Sequence, residues 1–283
     1  MNELILKREN LTLTESQIKM IKSGWGDEEI ESTTVEKITY NSDGLKVKAY
    51  LAYPNDKSQK YPCVIWCRGG IGQAGVIDQF NAQGMFAQLA SWGFVVFAPQ
   101  YRGNDGGEGV DEFGGGDLND ILNLIPLAEE VPQADTSRWG IEGWSRGGMM
   151  TYLALTKTNL FKAAIVTGGI ANLRCNAEES TFMKILYESI MGKKDSVGFN
   201  EKCQSRSIVN FAEKITKETP ILIIHGTDDN RVLPHDSLDL SYKLLENKNP
   251  FRLVMLEGGD HFLKNHRVEV DRLRKNWFNK YLY

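Results

Sequence analysis

The sequence predicts an α/β protein with a mostly parallel sheet that helices cover on both faces. Three observations predict this class. The chain has 283 residues, enough for one large domain or two small ones with a sizeable core. It contains short, continuous apolar runs, which are typical of strands buried on both faces. These runs alternate with segments of helical spacing, the order expected of a sheet built from parallel strands.

The first thirty residues precede this alternation. We expect residues 1–30 to form a helical extension and residues 31–283 to form the main domain. Within the extension, Thr14-Glu15-Ser16-Gln17 has the pattern of a capping box and predicts a short helix through Lys22.

A hairpin and a series of strands and helices follow. The hairpin is predicted from the alternating segments 34–40 and 45–52, which are joined by the turn residues Asn41-Ser42-Asp43-Gly44. Further strands are predicted at 61–67, 94–100, 138–143, 163–167, 220–225 and 251–256, which makes about eight. Helices are predicted at 77–92, 117–130, 146–157, 236–247 and 263–280. Residues 170–217 interrupt the alternation of strands and helices with several short helical segments. We interpret them as a cap over a site rather than a plain surface insertion.

The composition is that of an ordinary globular protein and argues against several classes. The formal net charge is −4, so no basic surface indicates a nucleic-acid partner. We find neither a secretion signal nor the roughly 18 consecutive apolar residues that cross a bilayer. We therefore expect a cytoplasmic protein with no membrane partner, and a homo-oligomer stays open.

The cysteines are Cys63, Cys67, Cys175 and Cys203. In a cytoplasmic protein we expect free thiols, although a bridge between Cys175 and Cys203 stays open. The chain has no CxxC pair and no His/Cys cluster, so we predict no metal. The glycine-rich loops lack the phosphate-binding patterns of nucleotide sites, and we predict no cofactor.

A serine stands at a cramped corner between a predicted strand and a predicted helix. Gly143-Trp144-Ser145-Arg146-Gly147 matches Gly-x-Ser-x-Gly. Between a strand and a helix, this pattern predicts a nucleophile elbow, in which glycines avoid a clash and the hydroxyl is exposed above the sheet. The alternative is a glycine-rich corner that holds a serine by chance.

A nucleophilic serine needs a histidine base, and the chain has four histidines. His225 ends a predicted strand, His235 begins a predicted helix, and His266 lies inside the last helical pattern. Only His261 lies on a loop that directly follows a strand, close to two glycines and at the end of the sheet where Ser145 should emerge. We therefore predict His261 as the base.

The acid that orients the histidine should lie between serine and histidine in the chain. Residues 225–232, His-Gly-Thr-Asp-Asp-Asn-Arg-Val, again follow a predicted strand. Asp228 and Asp229 both fit, and spacing alone does not separate them.

From about residue 34 to its end, the chain resembles the catalytic domain of the prolyl oligopeptidase family of serine peptidases and esterases. Three segments carry the resemblance: Gly-Trp-Ser-Arg-Gly-Gly at 143–148, the acid loop at 225–232, and Gly-Gly-Asp-His at 258–261. Tyr-Arg-Gly at 101–103 and Ser-Ile-Val-Asn-Phe-Ala at 207–212 are also similar to family segments. The resemblance implies an α/β-hydrolase fold and selects Asp229 as the acid, because the family's acid lies three residues before the valine.

The oxyanion of acyl transfer needs amide donors. We predict the amide of Arg146, next after the serine, and the amide of Gly70 in the loop after strand 61–67. This loop departs from the family, whose members usually have histidine where Arg68 stands and often proline where Ile71 stands. The resemblance also implies that Arg231 binds a substrate carbonyl, with a solvated loop arginine as the alternative.

These residues predict a serine hydrolase that works through an acyl-enzyme. Family peptidases usually carry a β-propeller ahead of this domain, and only about thirty residues stand there in this sequence. We therefore expect hydrolysis of small acyl esters or of short peptides and amides. The alternatives are a peptidase or aminopeptidase with true peptide specificity and a non-catalytic binding protein on the same scaffold.

Overall fold

The fold is described here from a computed structural model, for residues 3–283. Its strands are β1 (Ile5–Asn10), β2 (Thr33–Ser42), β3 (Leu45–Pro54), β4 (Tyr61–Cys67), β5 (Val95–Pro99), β6 (Ala134–Trp144), β7 (Phe161–Thr167), β8 (Ile221–Gly226) and β9 (Phe251–Leu256). Its α-helices are α1 (Glu15–Trp25), α2 (Asp27–Glu31), α3 (Gln79–Ser91), α4 (Asn119–Leu122), α5 (Leu124–Leu127), α6 (Arg146–Leu155), α7 (Leu173–Glu179), α8 (Thr181–Met191), α9 (Val197–Arg206), α10 (His235–Glu246) and α11 (Arg267–Leu282).

The strands form one sheet in the order β1-β2-β3-β5-β4-β6-β7-β8-β9. The first three strands are antiparallel, and β3 is antiparallel to β5. The pairs β4–β5, β7–β8 and β8–β9 are parallel. The mostly parallel sheet and its flanking helices confirm the predicted fold class. The strand beyond the eight predicted is β1, whose sequence ILKREN buries only Ile5 and lacks the alternation that indicates a strand.

The N-terminal segment therefore contains a strand as well as helices. The predicted capping box is confirmed: Thr14 caps α1, its side chain accepts the backbone N–H of Gln17, and the Gln17 side chain accepts the N–H of Thr14. The helix continues to Trp25, one turn beyond the predicted end.

The chain divides into two compact units, and the division falls inside β6. The first unit extends to Asp111 and includes Gly115–Gly140. It holds β1 to β5, and α3 lies against the sheet with Phe86 packed on Tyr50 and Trp66.

The second unit comprises Glu112–Gly114 and Ile141–Tyr283. In this unit, the buried Glu142 of β6 forms an ion pair with the half-buried Arg274 of α11, with N–O distances of 2.7 and 2.8 Å. Two parallel hydrogen bonds fix the relative orientation of both groups. The last helix is thereby held against the strand that leads to Ser145.

Two predicted helices differ from the structure. Residues 117–130 form two single-turn helices flanked by 3₁₀ turns, because Pro126 has no N–H to donate to the carbonyl of Leu122. The predicted helix 263–280 begins at Arg267, because Leu263 has a left-handed φ of 50° and a 3₁₀ turn follows it.

The segment predicted as a cap, 170–217, holds α7, α8 and α9. Its beginning is attached to α10 by Asp236, a buried carboxylate. This side chain accepts the backbone N–H groups of Ala171 and Asn172 and the side-chain amide of Asn176. The cysteines are all free, and no helix within residues 3–283 is both long and apolar enough to cross a membrane.

Candidate active site

Ser145 occupies the corner between β6 and α6. Its backbone has φ 57° and ψ −120°, a region that residues with a side chain rarely adopt. The corner is held by hydrogen bonds at both of its backbone groups: the Ser145 N–H donates to Thr167 (3.0 Å), and its carbonyl accepts from Gly148 (3.0 Å). A strained serine between a strand and a helix is the backbone geometry that the glycine pattern predicts, and Ser145 as the nucleophile stays a prediction.

The glycines of the elbow are required by close backbone contacts. A Cβ at position 143 would lie 2.1 Å from the carbonyl oxygen of Gly147. A Cβ at position 148 would lie 2.6 Å from both the Cα of Gly169 and a methyl group of Val166. Any side chain at either position would push α6 away from its neighbours.

His261 and Asp229 are in direct contact on two loops that follow β9 and β8. The Nδ1 atom of His261 lies 2.7 Å from Oδ2 of Asp229, and both side chains are buried. The other oxygen of Asp229 accepts the backbone N–H groups of Arg231 (2.9 Å) and Val232 (3.0 Å). Burial alone would raise the pKa of Asp229, but hydrogen bonds from His225 and His261 outweigh it and hold the pKa well below its usual range.

The elbow and the histidine loop meet through Trp144, the residue before the serine. Its indole N–H donates to the carbonyl of His261 at 3.0 Å. Gly168 borders the acid and the base: a Cβ there would lie 3.3 Å from Oδ2 of Asp229 and 3.6 Å from Nδ1 of His261. The structure thus joins the predicted acid and base directly and fixes the base against the neighbour of the predicted nucleophile.

Three of the residues that the sequence analysis did not select lie away from the contact between His261 and Asp229. Asp228 is exposed, and His235 begins α10. His266 lies in the turn before α11, where its Nε2 atom is 3.0 Å from the carbonyl oxygen of Glu257. Within residues 3–283, no cluster of three His, Cys, Asp or Glu side chains could hold a metal ion.

The predicted oxyanion donors lie in different units. Arg146 is the first residue of α6, and its guanidinium packs over the ring of Phe113 at 4.7 Å. Its amide belongs to the N-terminus of a helix, where backbone dipoles favour negative charge. Gly70 lies in the first unit with φ 67°, and a Cβ there would lie 2.7 Å from the Cα of Gly75.

Arg68, which stands where the family usually has histidine, supports the loop of Gly70. It is fully buried, its Nε donates to the carbonyl of Gln100 (2.9 Å), and Nη1 donates to the carbonyl of Gly69 (3.1 Å). Its guanidinium also packs on the ring of Tyr101 at 5.0 Å. The departure from the family pattern therefore gives this loop its own support.

The model of the prolyl oligopeptidase family matches residues 80–283. This chain belongs to the prolyl oligopeptidase family. The resemblance seen in the three motifs is thereby confirmed, and this member of the family is a serine hydrolase.

Several relatives and solved structures are similar to this family member. It is 35% identical to the uncharacterised peptidase YtmA of Bacillus subtilis over 235 residues, which cover 82% of this chain and 88% of YtmA. It is 29% identical to dipeptidyl-peptidase 5 of Porphyromonas gingivalis, covering 70% of this chain and 30% of that protein. The acylaminoacyl peptidase of Pyrococcus horikoshii superposes with a TM-score of 0.77 at 24% identity, covering 96% of this chain and 44% of that structure.

Arg231 follows the acid by two residues. Its guanidinium lies between two aromatic rings, 5.2 Å from the ring centre of Phe182 in α8 and 4.7 Å from that of Phe262. These contacts restrict the side chain and attach the acid loop to both the cap and the histidine loop.

Sequence reasoning missed two contacts of this site. The indole of Trp144 contacts the histidine loop, and the imidazole of His225 contacts the acid loop. Trp144 occupies the unspecified position of the elbow motif. His225 ends a strand, which gave no indication that its ring would turn toward the acid.

Proposed function

We propose that this chain is a serine peptidase that cleaves short peptides and small acyl amides through Ser145, His261 and Asp229, and that small acyl esters are also cleaved. The observation that carries the proposal is the 2.7 Å contact between His261 and Asp229, beside an elbow whose Trp144 binds the His261 carbonyl. A carboxylate on Nδ1 leaves Nε2 free to act as the base for a serine hydroxyl.

The proposed reaction has two steps. His261 takes the proton of Ser145 as its Oγ attacks the acyl carbonyl, and Asp229 stabilises the imidazolium that forms. The imidazolium then gives this proton to the departing amine or alcohol, which leaves an acyl-enzyme. Water, activated by the same histidine, then hydrolyses the acyl-enzyme and releases the carboxylic acid product. The amide of Arg146 is the proposed donor to the oxyanion, and the role of Gly70 stays a prediction.

Peptides are the favoured substrates, because the proteins that this chain is similar to are named as peptidases. They include a dipeptidyl-peptidase and acylaminoacyl peptidases, one of which was solved with a Z-Gly-Gly-Phe chloromethyl ketone. The chain spans less than half of these proteins, so their particular substrates carry over only as candidates. The preference for small esters expected from the sequence stays a prediction.

Arg231 is the proposed contact for a substrate carbonyl. Its two aromatic neighbours hold the guanidinium in place while its N–H groups stay available to an acceptor. We expect Arg231→Met to raise KM about tenfold with a smaller effect on kcat, since a charge-assisted hydrogen bond is lost.

A substrate panel with a matched variant tests the function. The wild type and Ser145→Ala are compared on p-nitrophenyl esters and on p-nitroanilides of single amino acids, N-acetylated amino acids and dipeptides. A fluorophosphonate probe should label the wild type and leave Ser145→Ala unlabelled. Anilide turnover that depends on Ser145 supports a peptidase. An absence of labelling overturns the proposed nucleophile, and turnover confined to esters overturns the peptidase assignment.

A further inference from the structure

His225 is a second histidine on the acid, at the end of β8. Its ring is completely buried. The Nε2 atom lies 2.9 Å from the carbonyl oxygen of Val232 and 3.3 Å from Oδ2 of Asp229. The Nδ1 atom lies 2.6 Å from the hydroxyl of Ser237 in α10. The ring therefore contacts both the acid loop that follows β8 and the helix α10.

The partners of the ring fix the position of its hydrogen. A carbonyl oxygen and a carboxylate oxygen only accept hydrogen bonds, so Nε2 of His225 carries the hydrogen. In the neutral ring, Nδ1 then accepts the hydroxyl hydrogen of Ser237. Every polar atom of the ring has a partner, which is the condition for a buried imidazole to be stable in one orientation.

Two oxygen atoms of the acid loop lie close to this one N–H group, the Val232 carbonyl oxygen at 2.9 Å and Oδ2 of Asp229 at 3.3 Å. Asp229 and Val232 enclose a tight turn in which the carboxylate also accepts the N–H of Val232. The N–H of His225 faces the carbonyl of Val232 and the same Asp229 oxygen that receives the Nδ1–H of His261. That oxygen therefore has an imidazole nitrogen of each histidine beside it, at 3.3 Å from His225 and 2.7 Å from His261.

We propose that His225 is a positioning residue for the catalytic acid: it directs Oδ2 of Asp229 at Nδ1 of His261. The inference rests on the proposed function, because it assigns His225 to the same reaction. His225 does not touch the reacting atoms and acts through Asp229 alone. The charged or titratable groups near its ring are Asp229, His261 beyond it, and Asp236 on α10.

A structural role and a positioning role have different consequences. A residue that only stabilises the fold affects the amount of folded protein, and the folded fraction then reacts at the normal rate. A residue that orients Asp229 affects the rate at which folded enzyme activates Ser145, with little effect on substrate binding. The two are separated by measuring the rate on protein whose folded fraction is known.

The test compares His225→Leu, His225→Gln and Thr219→Val in the full chain. Leucine removes both ring nitrogens. A glutamine amide nitrogen can reach the position of Nε2 and restore the donor. Thr219 is the matched control, because it is buried just before the same strand and its hydroxyl donates to the carbonyl of Phe161 at 2.6 Å, away from the acid loop.

Three quantities are measured for each variant: the unfolding midpoint, the second-order rate of inactivation by a fluorophosphonate, and kcat and KM on the best substrate of the panel. For His225→Leu we expect the inactivation rate and kcat to fall about 10- to 100-fold with KM within about twofold of wild type. We expect His225→Gln to recover most of this loss and Thr219→Val to lower the midpoint with an unchanged inactivation rate.

Each result decides the question. A His225→Leu protein that is folded and reacts at the wild-type rate overturns the proposal, and so does a glutamine variant as slow as the leucine variant. If His225→Leu does not fold, Ser237→Ala replaces it. Loss of the hydroxyl on Nδ1 should slow inactivation about 3- to 10-fold, and an unchanged rate overturns the proposal. A wild type that does not react with the probe overturns the proposed function instead.

Discussion

Replacing Asp229 with asparagine changes one oxygen at the point where the acid meets the base. The Oδ1 atom is retained, so it can still accept the N–H groups of Arg231 and Val232. The Oδ2 atom, 2.7 Å from Nδ1 of His261, becomes an NH₂ group. Two donors would then face each other, so His261 must move its hydrogen to Nε2.

The rate follows from this change of tautomer. With a hydrogen on Nε2, His261 has no lone pair to accept the proton of Ser145. In serine proteases this substitution lowers kcat about 10⁴-fold, which corresponds to about 5.4 kcal/mol of activation free energy. We expect a loss of that order in Asp229→Asn, without a comparable change in KM.

Asp228→Asn is the matched control, because it makes the same change one residue away on an exposed side chain. Its carboxylate accepts the hydroxyl hydrogen of the neighbouring Thr227 at 3.2 Å. The assay is kcat and KM on a p-nitroanilide or p-nitrophenyl ester, with the fluorophosphonate rate beside it. Asp228→Asn should stay within about threefold of wild type. An Asp229→Asn variant within tenfold of wild type would falsify the assignment of the acid.

Three further predictions follow from individual contacts. Trp144→Phe removes the N–H bonded to the His261 carbonyl, and kcat/KM should fall about 3- to 10-fold because one neutral hydrogen bond is lost; unchanged steady-state kinetics would contradict this. Burial raises the pKa of Asp236 to about 6. Because this carboxyl ionises at lower pH in the unfolded chain, its contribution to stability should fall by about 3 kcal/mol as the pH rises from about 4 to 6. Urea unfolding should show the loss as a difference in pH dependence between the wild type and Asp236→Asn, and equal pH dependence would contradict it. Gly148→Ala places a methyl group 2.6 Å from Gly169 and should lower the free energy of unfolding by about 1–3 kcal/mol. Thermal melts measure this loss, and an unchanged melting temperature would contradict it.

The sequence predicts the sheet well because buried strands have a distinct pattern. The segment 61–67 matches β4 at both ends, and 251–256 matches β9. Such strands are continuous apolar runs, and every residue of β4 is buried. β1 could not be predicted in this way, because it is an edge strand with a single buried side chain and so has no apolar run.

The members of the proposed triad were selected from the sequence because each follows the end of a strand, and the carboxyl ends of parallel strands share one edge of a sheet. The choice between Asp228 and Asp229 needed the family resemblance. The contact between Asp229 and His261 and the exposure of Asp228 agree with it. The contacts of Trp144 and His225 could not be predicted, since they depend on ring orientations that neither spacing nor hydrophobicity encodes.

Asp236 has a consequence for how substrates could reach Ser145. Because a buried carboxylate holds the start of α7, swinging the whole segment aside would strand that charge without its donors. Any opening of this segment would therefore leave its start in place and involve the part beyond α7. Moving α8 would separate Phe182 from Arg231, so the carbonyl contact proposed for Arg231 would depend on the position of α8.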